Sequence, residues 1–393
     1  MKCKLHKGVK LSRLTEGEDH YFFGYYDLPA ISKDEKYHLC HRVKFWDRLP
    51  EKDDIAELGL IDLNTKEFTK VAETSAWNFQ QGAMLQWYSA KPDQEIIYNI
   101  RDGEEYRGVI KNIQTGKERY LDKAVANVDP LGKYALNINF NRMFDFRAGY
   151  GYAGVEDKFK DQNHPAEDGI FLIDLQTGQA DLIISLEDIW SFSKNSLSKD
   201  RKILVNHITF NTDGSRFVFL ARYFREPEDK KWETAIITAN RDGSDMYLLS
   251  DYSYASHYHW RDKKHIVFHS YGKEVSDEGD QLYLLEDKTQ QGVILDKEFF
   301  LADGHCSYSP DRNYLLYDSY PDQDNYRHLY LYDLQKKEGY KLGSFYSHPV
   351  ITGDIRCDLH PRWSPSGTTI SFDSIHEDQR YLYLLNFKKL IGK

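Results

Sequence analysis

The chain has 393 residues, 15% of them aromatic with 29 Tyr and only 4 Met, and a formal net charge of −10. That length admits one large all-β domain or a few ordinary ones, and an aromatic-rich, Met-poor composition favours strands over helices. The acidic balance, with no long Lys/Arg cluster, argues against nucleic acid as a partner and against docking on a membrane surface.

The N-terminus is basic but lacks an apolar core segment, so no signal peptide is expected. No apolar run reaches the roughly 18 residues needed to span a bilayer. Cys3, Cys40, Cys306 and Cys357 show no CxxC spacing and fit reduced thiols in a cytoplasmic protein.

A strand ending in a turn signal recurs seven times, starting at Gly59, Val109, Ile170, Ala235, Leu282, Leu329 and Tyr381. A second apolar strand precedes each copy, at 37–43, 95–100, 134–140, 216–221, 265–268, 314–317 and 369–372. Short strands with Gly, Asp and Asn turns at this interval predict four-stranded blades, and seven blades make an all-β, seven-bladed β-propeller. The last blade begins near Ile355 and has three strands before the chain ends. Its fourth is expected from 9–15, so that the N-terminal strand closes the propeller and removes an open edge. Residues 1–393 are then one domain, with a helical turn at most over 185–190.

In such a blade the first strand runs into a turn and the second returns, so the start of one and the end of the other share a face. Long loops follow several second strands, at 44–56, 141–168 and 222–232. The middle one carries Arg147, Tyr150 and Tyr152 and is too long for a mere connector. Gln80 and Gln81 open the first strand of blade 2, where paired amides suit a hydroxyl-rich ligand or simply cap the blade.

Four histidines occupy one phase of the repeat. His207, His257, His305 and His360 each stand three residues before an aromatic, Phe210, Trp260, Tyr308 and Trp363. All four are expected at the channel mouth on the loop-bearing face. Asp303 and Asp358 sit two residues before His305 and His360, on the same side of a strand. The expected metal set is His305, Asp358 and His360, with Asp303 as a further ligand or as a partner orienting an imidazole. The cofactor is a divalent ion, manganese first, with zinc or calcium as alternatives. A hydrogen-bonded polar channel without metal is the competing reading. His257 and His207 are candidate general base or acid. Arg222, Asn206 and Arg356 are candidates to meet an anionic substrate, with Arg147 and Tyr152 from the long loop. No GxSxG, P-loop, HExxH or dinucleotide fingerprint occurs.

On these residues the chain resembles the oligogalacturonate lyases, seven-bladed propellers among the polysaccharide lyases. The family's catalytic Thr-His-x-x-Trp context matches Ser256-His257-Tyr258-His259-Trp260, and its blade-6 metal histidine matches His305. Its His-Pro-His-Pro segment matches Asp358-Leu359-His360-Pro361, so His360 carries over and Asp358 replaces a histidine. The chain departs at the family's glutamine ligand, where Ile355 and Arg356 stand, and at its blade-4 arginine, where the nearest position is Ala235. The resemblance implies metal-assisted β-elimination on a uronic-acid-containing oligosaccharide, by a monomer or small homo-oligomer. Two other classes compete: a glycoside hydrolase using the same histidines, disfavoured by the lack of paired carboxylates, and a non-enzymatic interaction propeller.

Overall fold

The computed structural model describes residues 2–197, 199–272 and 275–392. Among these residues the strands form seven antiparallel sheets arranged as a seven-bladed β-propeller. Blade 1 comprises His20–Phe22, Tyr37–Val43, Ala56–Asp62 and Phe68–Thr74, and the other blades repeat the order first strand to fourth. The second strands are the apolar cores of the blades. In Arg216–Tyr223 every residue after Arg216 is buried, because both faces of the strand are covered. Fourth strands such as Phe68–Thr74 and Gly292–Ile294 alternate or lie exposed, as outer edges do.

The recurring turn signal has one structural cause. After the third strand, Asp62, Asn112, Asp174 and Asp333 each accept two backbone N–H bonds from residues two and three further on, at 2.8–3.1 Å. The turn then needs a left-handed residue, supplied by Gly116 and Gly178 in two copies and by Lys66 and Lys337 in the others.

The chain divides into two compact units. One holds Met1–Asn99, Ile110–Glu118 and Gly304–Lys393, and the other Ile100–Val109 and Arg119–Asp303. In the first, Phe22, Trp77 and Phe79 pack ring against ring at 5.2–5.8 Å. In the second, Val218, Leu220, Ile236, Trp260, Ile266, Phe268 and Tyr283 form a continuous core through blades 4 and 5.

Lys10–Arg13 pairs antiparallel with the last strand, Arg13 opposite Tyr383, and so completes blade 7 as the sequence led one to expect. The N-terminus does more than this. Cys3–Leu5 adds a fifth strand to blade 6, with Cys3 opposite Phe345. Two expectations are corrected. The second strand of blade 3 stops at Asn137, because the Asn139 side chain caps a helix, Phe140–Phe146, by accepting from Arg142 N at 2.9 Å. Residues 185–190 begin a true helix, Leu186–Ser193, opened by a capping box between Ser185 and Asp188. No helix among the described residues is long and apolar enough to cross a membrane.

Candidate metal centre and histidine dyad

His305 directly precedes the first strand of blade 6, Cys306–Tyr308, and His360 stands two residues before that of blade 7, Arg362–Trp363. Each is 2% exposed, and with Asp358 they offer ligand atoms that all lie within 4.8 Å of one another. Gly304 permits the close approach, since a Cβ there would collide with the Asp318 carbonyl. Asp318, at the end of the second strand of blade 6, organises the pair. Its carboxylate accepts the His305 backbone N–H at 2.8 Å and that of His360 at 3.2 Å. It also lies 2.9 and 3.0 Å from His305 Nδ1, which fixes the proton on Nδ1 and leaves the lone pair on Nε2.

His305 Nε2 and His360 Nε2 face each other at 3.1 Å. Burial, and after it the neighbouring His305, holds the His360 imidazole well below its usual pKa, so it is neutral. At that distance a neutral His360 with its proton on Nε2 donates to His305 Nε2, and with its proton on Nδ1 both lone pairs are open to a cation. Asp358 completes the set. Burial would raise its carboxyl, but Arg356 and Arg327 outweigh burial and hold it ionised. Arg356 Nε lies 2.6 Å from Asp358 Oδ2 and Arg327 Nη1 2.7 Å from Oδ1. The approaches are close, yet neither is aligned as a hydrogen bond, so both buried oxygens lack a donor. Each oxygen is thus charge-paired with a guanidinium, and an ion bound at Asp358 would share the carboxylate with both arginines. Two imidazoles and one carboxylate fit manganese, iron or zinc; calcium prefers an all-oxygen shell. Tyr26 packs 5.1 Å from His305 and Tyr25 5.6 Å from His360, which walls the site with rings.

His257 lies in the other unit, within Ala255–Trp260 of blade 5. Its Nδ1 is 3.0 Å from Asp303 Oδ1 and 3.1 Å from Ser256 Oγ, and Tyr254 donates to Asp303 Oδ2 at 3.0 Å. Burial would raise the Asp303 carboxyl, but its pairing with His257 outweighs burial and holds the group well below the usual range. Asp303 orients an imidazole, as the sequence suggested, but that of His257 rather than one in the metal set.

The remaining candidates are placed as follows. His207 sits at a bulge of Ile203–Phe210 with φ +50°, edge-on to Tyr150 at 5.5 Å. Asn206 is buried, its amide donating to Met143 Sδ at 3.6 Å while its oxygen has no donor. Arg222 lies in the blade-4 sheet with Nε donating to Thr234 Oγ1 at 3.0 Å. Gln80 is fully buried and donates to the Arg356 carbonyl at 2.9 Å, beside the metal set. The Gln81 backbone N–H donates to Asn78 at 2.7 Å, and the residue is 5% exposed. Arg147 closes the blade-3 helix and lies over the Tyr150 ring at 4.8 Å. Tyr152 is fully buried and stacked on Phe140 at 4.5 Å, which makes its ring part of the packing.

Asp318 and Arg327 were missed from the sequence. A signal for Asp318 existed: Tyr317-Asp318-Ser319, Phe372-Asp373-Ser374 and Phe268-His269-Ser270 share one phase at the ends of second strands. Asp373 acts in blade 7 as Asp318 does in blade 6, accepting the backbone N–H groups of Phe23 and Gly24 at 3.3 Å.

The sequence matches no protein-family model and no curated protein. The structure is similar to an oligogalacturonate lyase in complex with manganese, at 16% identity and TM-score 0.68, over 98% of this chain and 95% of that one. It is similar to an oligogalacturonate lyase from Vibrio parahaemolyticus at 15% identity and TM-score 0.64, over 98% and 96% of the two chains. It also resembles the tricorn protease at 13% identity and TM-score 0.52, over 95% of this chain and 37% of that one. Identities this low establish a common fold.

Proposed function

We propose that the protein is a metal-assisted lyase that cleaves uronic-acid-containing oligosaccharides by β-elimination. The observation that carries this reading is the convergence of His305, His360 and Asp358, with Asp318 fixing the His305 tautomer. The fold shared with oligogalacturonate lyases supports it. A divalent ion held by the three residues would neutralise a substrate carboxylate and so acidify the proton on the carbon beside it. His257 is the base. Its Nδ1–H points to Asp303, so Nε2 takes the proton from C5 of the uronate. The C5–H electrons form the C4–C5 double bond, the C4–O bond breaks, and the leaving sugar oxygen takes up a proton. Arg356 and Arg327 add positive charge around the Asp358 carboxylate.

The test pairs metal analysis with the ultraviolet absorbance of the unsaturated uronate, over a panel of uronate oligosaccharides. Bound metal and an absorbing product are expected. Reducing sugar released without that absorbance would turn the reading to hydrolysis.

A further inference from the structure

One cluster in the second unit takes no part in the chemistry above. The blade-3 helix Phe140–Phe146 ends with Phe146 edge-on to two rings of the blade-4 loop, Phe224 at 5.2 Å and Trp232 at 5.1 Å. Two guanidinium groups lie over the Trp232 ring, Arg225 at 4.5 Å and Arg147 at 5.9 Å from its centroid. Like charges gathered on one ring are unexpected in a chain of net charge −10.

The loop's own acids pair with cations other than Arg225. Glu226 and Asp229 pair with Arg201, at 3.6 and 2.9 Å, and Glu228 pairs with Lys199 at 2.8 Å. Among the described residues Arg225 has no carboxylate partner; its contact is the face of Trp232, and it is exposed. A ring face holds a guanidinium without using its N–H donors, because the attraction is to the π-system. Arg225 therefore keeps a planar fork of donors that suits a carboxylate bidentately.

We propose that Arg225, held on Trp232 beside Arg147, is a subsite for the carboxylate of one uronate residue in a longer oligosaccharide. This rests on the uronate reading above and names a group that recognises an acidic sugar. Trp232 is a positioning residue, acting through the guanidinium that it holds.

The test is calorimetric binding of trigalacturonate and of its fully methyl-esterified form to the full-length protein. The wild type is expected to prefer the acid form. Arg225→Gln is expected to lower that preference about tenfold, the loss of roughly one charge-assisted pair, and Trp232→Leu to lower it partly. Lys288→Gln, which removes an exposed cation paired with Asp245 on blade 5, serves as the control and should leave the preference intact. An unchanged preference in Arg225→Gln, or no preference in the wild type, overturns the subsite. Binding is read apart from turnover, so failure to form an unsaturated product would refute the lyase while leaving the subsite standing on its own result.

Discussion

Asp318 carries more of the candidate metal centre than its place outside the three candidate ligands suggests. One carboxylate holds the backbone entry of two blades and the tautomer of His305. Asp318→Asn keeps the size but loses the full acceptor, and metal affinity should fall about 10- to 100-fold, as measured by competition with a chelator. His305→Ala removes a ligand outright and should release the metal, with folding checked by circular dichroism. His257→Ala should behave in the opposite way, keeping the metal while turnover falls by about 10²- to 10⁴-fold. Equal turnover in that variant would remove His257 as the base. Three other histidines have a purely structural part. Burial pushes His38 and His41 to about 3 and His376 to about 4. A histidine with a depressed folded pKa takes its proton in the unfolded chain first, so acid favours unfolding. Stability should be level above roughly pH 6.5 and then fall toward pH 4, by about 1.4 kcal/mol per pH unit for each fully buried histidine. Urea titrations across that range measure the slope.

At the scale of elements, the loop after blade 3's second strand is built around one side chain. Arg142, on the helix Phe140–Phe146, is 1% exposed and donates to Ile203, Phe159, Gln162 and Asn163 carbonyls and to Asp157. Arg142→Ala leaves these acceptors and Asp157 buried without a donor and should cost about 3–5 kcal/mol in chemical denaturation. Its neighbours in space, the carbonyls of Phe159, Gln162 and Asn163, carry no sequence signature. The same limit explains the helices. The blade-3 helix interrupts what composition shows as a strand running through Phe140, and only the cap at Asn139 marks the change. Strands were legible because their alternation recurs in seven blades and the Asx turn in four of them, whereas each helix occurs once.

For the molecule as a whole, the N-terminus ties two blades. Pairing of Lys10–Arg13 with blade 7 follows from counting strands, since the last blade lacks one. Pairing of Cys3–Leu5 with blade 6 could not be counted, because that sheet already has four strands without it. Deleting residues through 8 should therefore lower Tm modestly, and deleting through 13 should lower it much more, since only the second opens an edge of the last sheet. The convergence of His305, Asp358 and His360 was legible as a repeat phase, the two histidines before matching aromatics and Asp358 in step. Its supports were not, because Asp318 and Arg327 lie on other strands and meet it only in the fold. The central claim is that these residues hold a metal that β-elimination needs. The most direct measurement follows the ultraviolet absorbance of the unsaturated product from trigalacturonate, with the protein first stripped by chelator and then given manganese. Product should form only after manganese is restored, and never in His305→Ala. Equal product from the stripped, folded protein, or none under any metal, would contradict the account.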